Sequence, residues 1–286
     1  MLNRVTQTMK DMTRAEQQVA ASFLQEPHDF AFFTLDRIAR SIGTSTTSVL
    51  RFCRFLGFEG YRDFQQALQQ ELKNSMTLPK KQQKNRETGA DQLLDRVITD
   101  GIHAIRQTFE ELPEKSLSAA ASLLANASRV FTFGLRESYA LSHYAYTRLT
   151  TVRPEVHLLE GAAGGMMEPL MDLRKGDVCL CFLFHRYTEL TLRMLPLLKQ
   201  QKAAVILVTD RPFDAVIPYA DLILPCHVSN NGIKNTALAP ICIGDYFCNA
   251  LALQDGEAIR QRLTRTEVLL SETAVLSDGP EETGKL

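Results

Sequence analysis

The stretch "ARSIGTSTTSVLRFCRFLGF", Ala39 to Phe58, places five small hydroxyl residues, Thr44 to Ser48, ahead of an arginine pair, Arg51 and Arg54. Gly43 falls where a tight turn needs a residue tolerant of positive φ. A helix then starts at Ser45 or Thr46, with Val49, Phe52, Cys53 and Leu56 as its inner face, and Gly57 ends it. Just upstream, Thr34 caps a short helix whose buried stripe is Leu35, Ile38, Ala39 and Ile42. Two short helices joined by a glycine-containing turn describe a helix-turn-helix. In that motif the first turn of the second helix enters the major groove. The candidate DNA contacts are therefore Ser45, Thr46, Thr47 and Ser48, with Arg51 and Arg54 further along and Arg37 on the preceding helix. Hydroxyls bond phosphates or base edges, and arginine forms a bidentate pair with guanine. The same residues also fit an ordinary capped helix with a solvated basic face, because Ser and Thr gather at helix starts to cap them.

Charge bears on that choice. With 32 Lys and Arg against 33 Asp and Glu, the chain has a formal net charge of -1, so it cannot hold nucleic acid by global charge. Any DNA affinity must come from a local patch. Between Arg37 and Arg54 there are four arginines and no acid, which supplies one. At 286 residues the chain is about twice the usual size of one domain, so two are expected. No apolar run is long enough to span a bilayer, and the amino terminus lacks the apolar core of a secretory signal. The expectation is a cytoplasmic protein that engages no membrane. Six cysteines, none in a C-x-x-C, sit mostly in apolar runs. They read as buried reduced thiols, with no metal and no cofactor expected.

Composition divides the chain into an amino-terminal domain over 1–76, a linker over 77–92 and a second domain over 93–286. Thr13 and Glu16 have capping-box spacing at the start of a first helix. The segment "NSMTLPKKQQKNRETGAD" lacks aromatics and is rich in Lys, Gln and Asn, which is linker composition. A helical pattern resumes at Leu93 and runs to Pro113. Beyond it, "RVFTFG", "EVHLLE", "DVCLCFLF", "AAVILVTD" and "ADLILP" are short apolar runs separated by helix-length segments. That alternation indicates an α/β domain with a parallel sheet covered on both faces. Ligands of such sheets sit at the carboxyl ends of the strands, which points to the loops after Phe133, Phe184 and Thr209. A last helix is expected from Gly256 to Val275.

The run "TLDRIARSIGTSTTSVLRFCRFLGFEGYRDFQQAL" resembles the signature of the RpiR/MurR family of bacterial transcriptional regulators, through Arg51, Phe52, Leu56, Gly57, Phe58, Gly60 and Tyr61. The resemblance implies two domains: an all-α helix-turn-helix domain, then an α/β SIS (sugar isomerase) domain with a five-stranded parallel sheet flanked by helices that binds phosphorylated sugars. Its first loop resembles G-x-G-x-S, where a hydroxyl and backbone amides at a helix start hold an anion. Here that loop is "FGLRESYALS": Gly134 and Ser138 match, Arg136 replaces the second glycine, and Glu137 lies between. The second loop, usually S-x-S-G-x-T, reads "LFHRYT", Leu183 to Thr188, and only Thr188 survives. His185 and Arg186 stand where a serine and the glycine would be, and Tyr187 precedes Thr188. Loss of the hydroxyls removes phosphate donors, whereas Arg136 and Arg186 offer charged forks that could converge on a phosphate or carboxylate by side chain. The loops "GAAGGMMEP", Gly161 to Pro169, and "SNNGIKNTALAP", Ser229 to Pro240, are further candidates to close over a ligand.

Together these readings describe a regulator, by default a repressor, that binds a double-stranded operator as a homodimer or dimer of dimers. A small anionic metabolite, a phosphosugar or a carboxylate, sets its DNA affinity. Two alternatives stand beside it. One is a sugar-phosphate isomerase with Glu137, His157, His185 or Glu189 as general base. The other is an interaction module that never touches DNA.

Overall fold

The computed structural model describes residues 1–75, 78–87, 91–160, 167–229, 232–254 and 256–273. The chain divides into two compact units: Met1–Arg96 with Phe213–Pro218 and Asn230–Lys234, and Val97–Pro212 with Tyr219–Ser229 and Asn235–Leu286.

The first unit is helical: α1 (Leu2–Thr8), α2 (Arg14–Gln25), α3 (Pro27–Phe32), α4 (Leu35–Ile42), α5 (Thr46–Phe55), α6 (Tyr61–Ser75) and α7 (Leu78–Glu87). Its helix starts follow the side-chain chemistry expected of them. Thr13 and Glu16 form a reciprocal capping box on α2, with the Thr13 N–H donating to the Glu16 carboxylate at 2.8 Å. Thr34 caps α4, which ends at Gly43 with φ of 72°, a left-handed conformation that side chains with a Cβ resist. Phe23, Phe30, Phe52 and Phe64 interlock edge-on or tilted, Phe23 and Phe30 with centroids 5.3 Å apart, and all four are fully buried. Truncating any one of these rings to alanine should cost about 3–5 kcal/mol. The Tyr61 hydroxyl and the Gln65 amide both donate to the Phe33 carbonyl, at 2.9 Å each, so α6 satisfies the orphan acceptors beyond α3. The segment expected as a linker contains α7. Its Lys, Gln, Arg and Glu residues are good helix formers even without an apolar stripe.

The second unit contains most of α8 (Leu93–Glu111), then α9 (Glu114–Asn126), β1 (Val130–Phe133), α10 (Glu137–Val152), β2 (Val156–Leu159), α11 (Met167–Met171), β3 (Val178–Leu183), α12 (Glu189–Gln200), β4 (Ala204–Thr209), β5 (Leu222–Pro225), α13 (Leu238–Ala252) and α14 (Gly256–Glu272). All five strands pair in parallel, in the order β2-β1-β3-β4-β5. The face carrying Val130, Leu180, Phe182, Ile206 and Val208 packs into one core with residues of α9, α10 and α13. Alternation sends Phe131, Phe133, Cys179, Cys181 and Leu207 to the other face, and all five are buried. Both faces are thus covered, which is why the strands read as unbroken apolar runs. Strand order reverses at β1, so the loops leaving β1 and β3 open on opposite sides of one crevice.

Candidate DNA-reading helix and ligand crevice

On α5 the sequence divides its labour between folding and exposure. Val49, Phe52 and Cys53 are buried. Ser45 is the N-cap: its hydroxyl oxygen accepts the Ser48 N–H at 3.2 Å, and the two hydroxyls lie 3.0 Å apart. Both serines are therefore occupied in starting the helix. Thr47, Arg51 and Arg54 are exposed, and their spacing of four and three puts them on one stripe of the helix. Thr46 is half-buried beside them. Arg37 differs from the others. Its guanidinium lies 3.6 Å from the centre of the Phe33 ring and 3.4 Å from the Asp214 carboxylate in the same unit, so it is already engaged.

In the second unit Gly134 follows β1 directly. A Cβ on it would lie 2.3 Å from the Ser138 carbonyl oxygen and 2.7 Å from the Ser138 carbonyl carbon. The first turn of α10 thus folds back onto the strand end, and only glycine fits. Ser138 is buried there, whereas Arg136 and Glu137 are exposed. Arg136 has φ of 57° and ψ of -120°, a conformation suited to glycine. An arginine thus occupies a glycine-type backbone conformation at the position where the G-x-G-x-S pattern has its second glycine. Arg136 is the N-cap of α10 and Thr188 that of α12, and neither caps its helix through the side chain.

Across the crevice, β3 pairs with β4 so that Leu183 lies opposite Thr209. This register sets the next residues, Phe184 and His185, beside Asp210. The His185 N–H lies 3.3 Å from each oxygen of the Asp210 carboxylate. The Tyr187 ring meets His185 edge-on at 5.5 Å. From a third segment, the Asn235 side-chain amide donates to the His185 carbonyl. Burial pushes the Asp210 carboxyl up to about 6, against the His185 N–H hydrogen bond that favours its ionised form. Burial likewise raises the Tyr187 hydroxyl. Arg186 is exposed and Thr188 half-buried at the start of α12.

The predicted ligand residues thus form two clusters, Gly134 to Ser138 and His185 to Thr188, at the carboxyl ends of β1 and β3. Among the described residues no ion pair holds Arg136 or Arg186, and Glu160 bonds the Tyr139 hydroxyl at 3.0 Å instead of Arg136. Asp210 was not among the residues read from the sequence as ligand contacts. Its one signal was its place, immediately after β4. The general-base candidates His157 and Glu189 are engaged elsewhere: His157 stacks on Phe131 at 5.1 Å and pairs with Glu155, and Glu189 pairs with Arg193. A cavity of about 630 Å³ opens at the β2 edge, lined by Phe131, His143, Tyr146, His157 and Glu160 among others. Residues 161–166 and 230–231, within the two loops expected to close over a ligand, lie outside the described residues. No group of three His, Cys, Asp or Glu among the described residues could hold a metal ion, and no helix there is long and apolar enough to cross a membrane.

Comparison with known proteins agrees with this architecture. Residues 1–75 match the helix-turn-helix domain of the rpiR family, and residues 123–244 match the SIS domain. An uncharacterized HTH-type transcriptional regulator of Haemophilus influenzae is 24% identical over 255 residues, covering 88% of this chain and 86% of that protein. The bifunctional protein glk of Burkholderia mallei is 28% identical over 212 residues, and there the match spans only 32% of the relative's length. Among solved structures, Vibrio vulnificus NanR complexed with ManNAc-6P superposes with a TM-score of 0.63 at 18% identity, over 97% of this chain and 99% of that one. With an rpiR-type helix-turn-helix followed by a SIS domain on a five-stranded parallel sheet, the chain belongs to the RpiR family of transcriptional regulators.

Proposed function

We propose that this regulator is a repressor that binds a two-fold operator as a homodimer and releases it when a small anionic metabolite enters the crevice between β1 and β3. The observation that carries the DNA half is the exposed stripe of Thr47, Arg51 and Arg54 on a well-capped α5, in a chain whose net charge is -1. Such a stripe supplies the local field and the bidentate donors that a major-groove helix needs. In support of the ligand half, the crevice lies at the switch point of a parallel sheet, where α10 and α12 start without side-chain caps. That one relative in fold was solved with ManNAc-6P favours a sugar-derived anion. A homodimer is supported by the exposed apolar residues Val97, Ile98 and Ile102 on α8 and Leu263, Val268 and Leu269 on α14.

A ligand can change operator affinity only by binding one dimer geometry better than another. The test is a fluorescence-anisotropy titration of the full chain against DNA from upstream of its own gene, with and without a panel of sugar phosphates and sugar acids. Saturable binding that scrambled DNA does not reproduce, weakened by one member of the panel, supports the reading. Equal affinity for both DNAs would sink the operator half, and indifference to every anion would sink the effector half.

A further inference from the structure

The loop from β3 to α12 is already filled. The His185 N–H, one of the backbone donors that an incoming anion would seek there, points at both oxygens of Asp210. The Tyr187 ring packs edge-on against His185 at 5.5 Å. Asn235 holds the His185 carbonyl, so two other chain segments fix the loop in this form. The carboxylate arrives through the register that pairs Leu183 with Thr209, and it is therefore built into the sheet end.

We propose that Asp210 is the specificity determinant of the crevice: its carboxylate takes the anion position of the β3–α12 loop, so the effector places its own anionic group at the start of α10 and turns a hydroxyl or amine toward Asp210. This inference rests on the crevice being the effector site. A second anion at the His185 amide would have to sit against a partly buried carboxylate, where like charges repel more strongly than in water. A hydroxyl or ammonium group there would instead donate to it. At the other end the Ser138 and Tyr139 N–H groups already donate to the Leu135 and Arg136 carbonyls, so the anion is met there by the Ser138 hydroxyl and the exposed Arg136 guanidinium, with Arg186 also exposed. The crevice then accepts a ligand with one anionic end and one hydrogen-bond-donating end.

The experiment uses sulfate, whose charge is constant across the working pH range. The full chain is titrated at pH 8 and at ionic strength held with sodium chloride. Affinity is read from the dependence of melting temperature on sulfate concentration, so each variant is its own reference. The proposal expects Asp210→Asn and Asp210→Ser to bind sulfate at least tenfold more tightly than the unmodified chain. Equal or weaker binding by both variants, or none, overturns it. Because either variant could fold poorly, the unmodified chain carrying ¹⁵N-histidine supplies a second arm. Its His185 amide resonance should stay in place as sulfate is added, and movement on titration overturns the proposal. Operator binding by the unmodified chain is scored separately. A chain that ignores every anion on DNA while keeping the sulfate results would remove the regulatory reading and leave the Asp210 assignment standing.

Discussion

Gly134 and Ser138 approach so closely that a β-carbon on the glycine would lie 2.3 Å from the serine carbonyl oxygen. The obstruction is backbone, which cannot swing aside as a side-chain tip would. Gly134→Ala should therefore push α10 away from the end of β1 and cost about 1–3 kcal/mol by overpacking, read as a lowered urea midpoint. Ser138→Ala removes only a hydroxyl, and should move the midpoint less while still blunting any response to anions. Equal midpoints for Gly134→Ala and the parent would mean the approach is looser than described.

Arg129 holds Asp177 with both arms of its guanidinium, Nε at 3.2 Å and Nη2 at 2.6 Å, and the Asp177 side chain is completely buried. Burial alone would push this carboxyl upward, but the hydrogen bonds from Arg129 and from the Arg174 N–H hold it below the usual carboxylate range. A folded value below the unfolded one means the stabilisation is present at neutral pH and lost as pH falls through the folded value. Arg129→Met strands the carboxylate and should cost about 3 kcal/mol at pH 7. The deficit should shrink in acid, where Asp177 is protonated with or without its partner. A deficit independent of pH would assign the loss to packing.

Asp210 has the opposite sign. Its carboxyl is raised to about 6, against roughly 3.9 for an unfolded aspartate. Between those values the folded chain holds a proton that the unfolded chain has lost, so stability falls as pH rises through that window and stays lower above it. Asp210→Asn should compare more favourably with the parent at pH 8 than at pH 4 in paired melting curves. A reversed order would show that the ionised carboxylate stabilises the loop.

For α5, capping and contact separate by substitution. Ser45→Ala removes the bond to the Ser48 N–H and should cost about 1 kcal/mol of stability. Arg51→Ala touches only an exposed side chain, and should change stability by less than about 0.5 kcal/mol while weakening operator binding. If Arg51 holds a phosphate, the slope of log affinity against log salt should lessen by about one. If it reads a base, the preference at one operator position should relax instead. Unchanged operator affinity would remove Arg51 from the interface.

What the sequence showed, and what it hid, follows from how far each signal reaches along the chain. Thr13 and Thr34 are legible as caps because a cap acts within three residues, whereas Ser45, read as a DNA contact at a helix start, proves to be the cap of α5. The five strands were legible because a parallel sheet buried on both faces leaves unbroken apolar runs. Helix α7 was hidden because Lys, Gln and Arg favour a helix without marking a face, so the segment scored as linker by composition alone. Asp210 was hidden for a different reason. Its partner His185 is twenty-five residues away, and only the β3–β4 register brings the two together. Arg136 reads as a replaced glycine, and its positive φ is a glycine-type conformation that side-chain identity does not reveal.

The cysteines, uninformative for function, give the molecule a built-in clock. Cys53 is sealed in the first unit and Cys179, Cys181 and Cys226 in the second, whereas Cys242 and Cys248 are only half-buried. Burial raises the Cys53 and Cys179 thiols to about 12, so scarcely any reactive thiolate exists while either unit stays closed. Alkylation at Cys53 and at Cys179 therefore records each unit's opening on its own tally. One mass-spectrometric time course, with and without DNA or effector, would tell which half each ligand quiets.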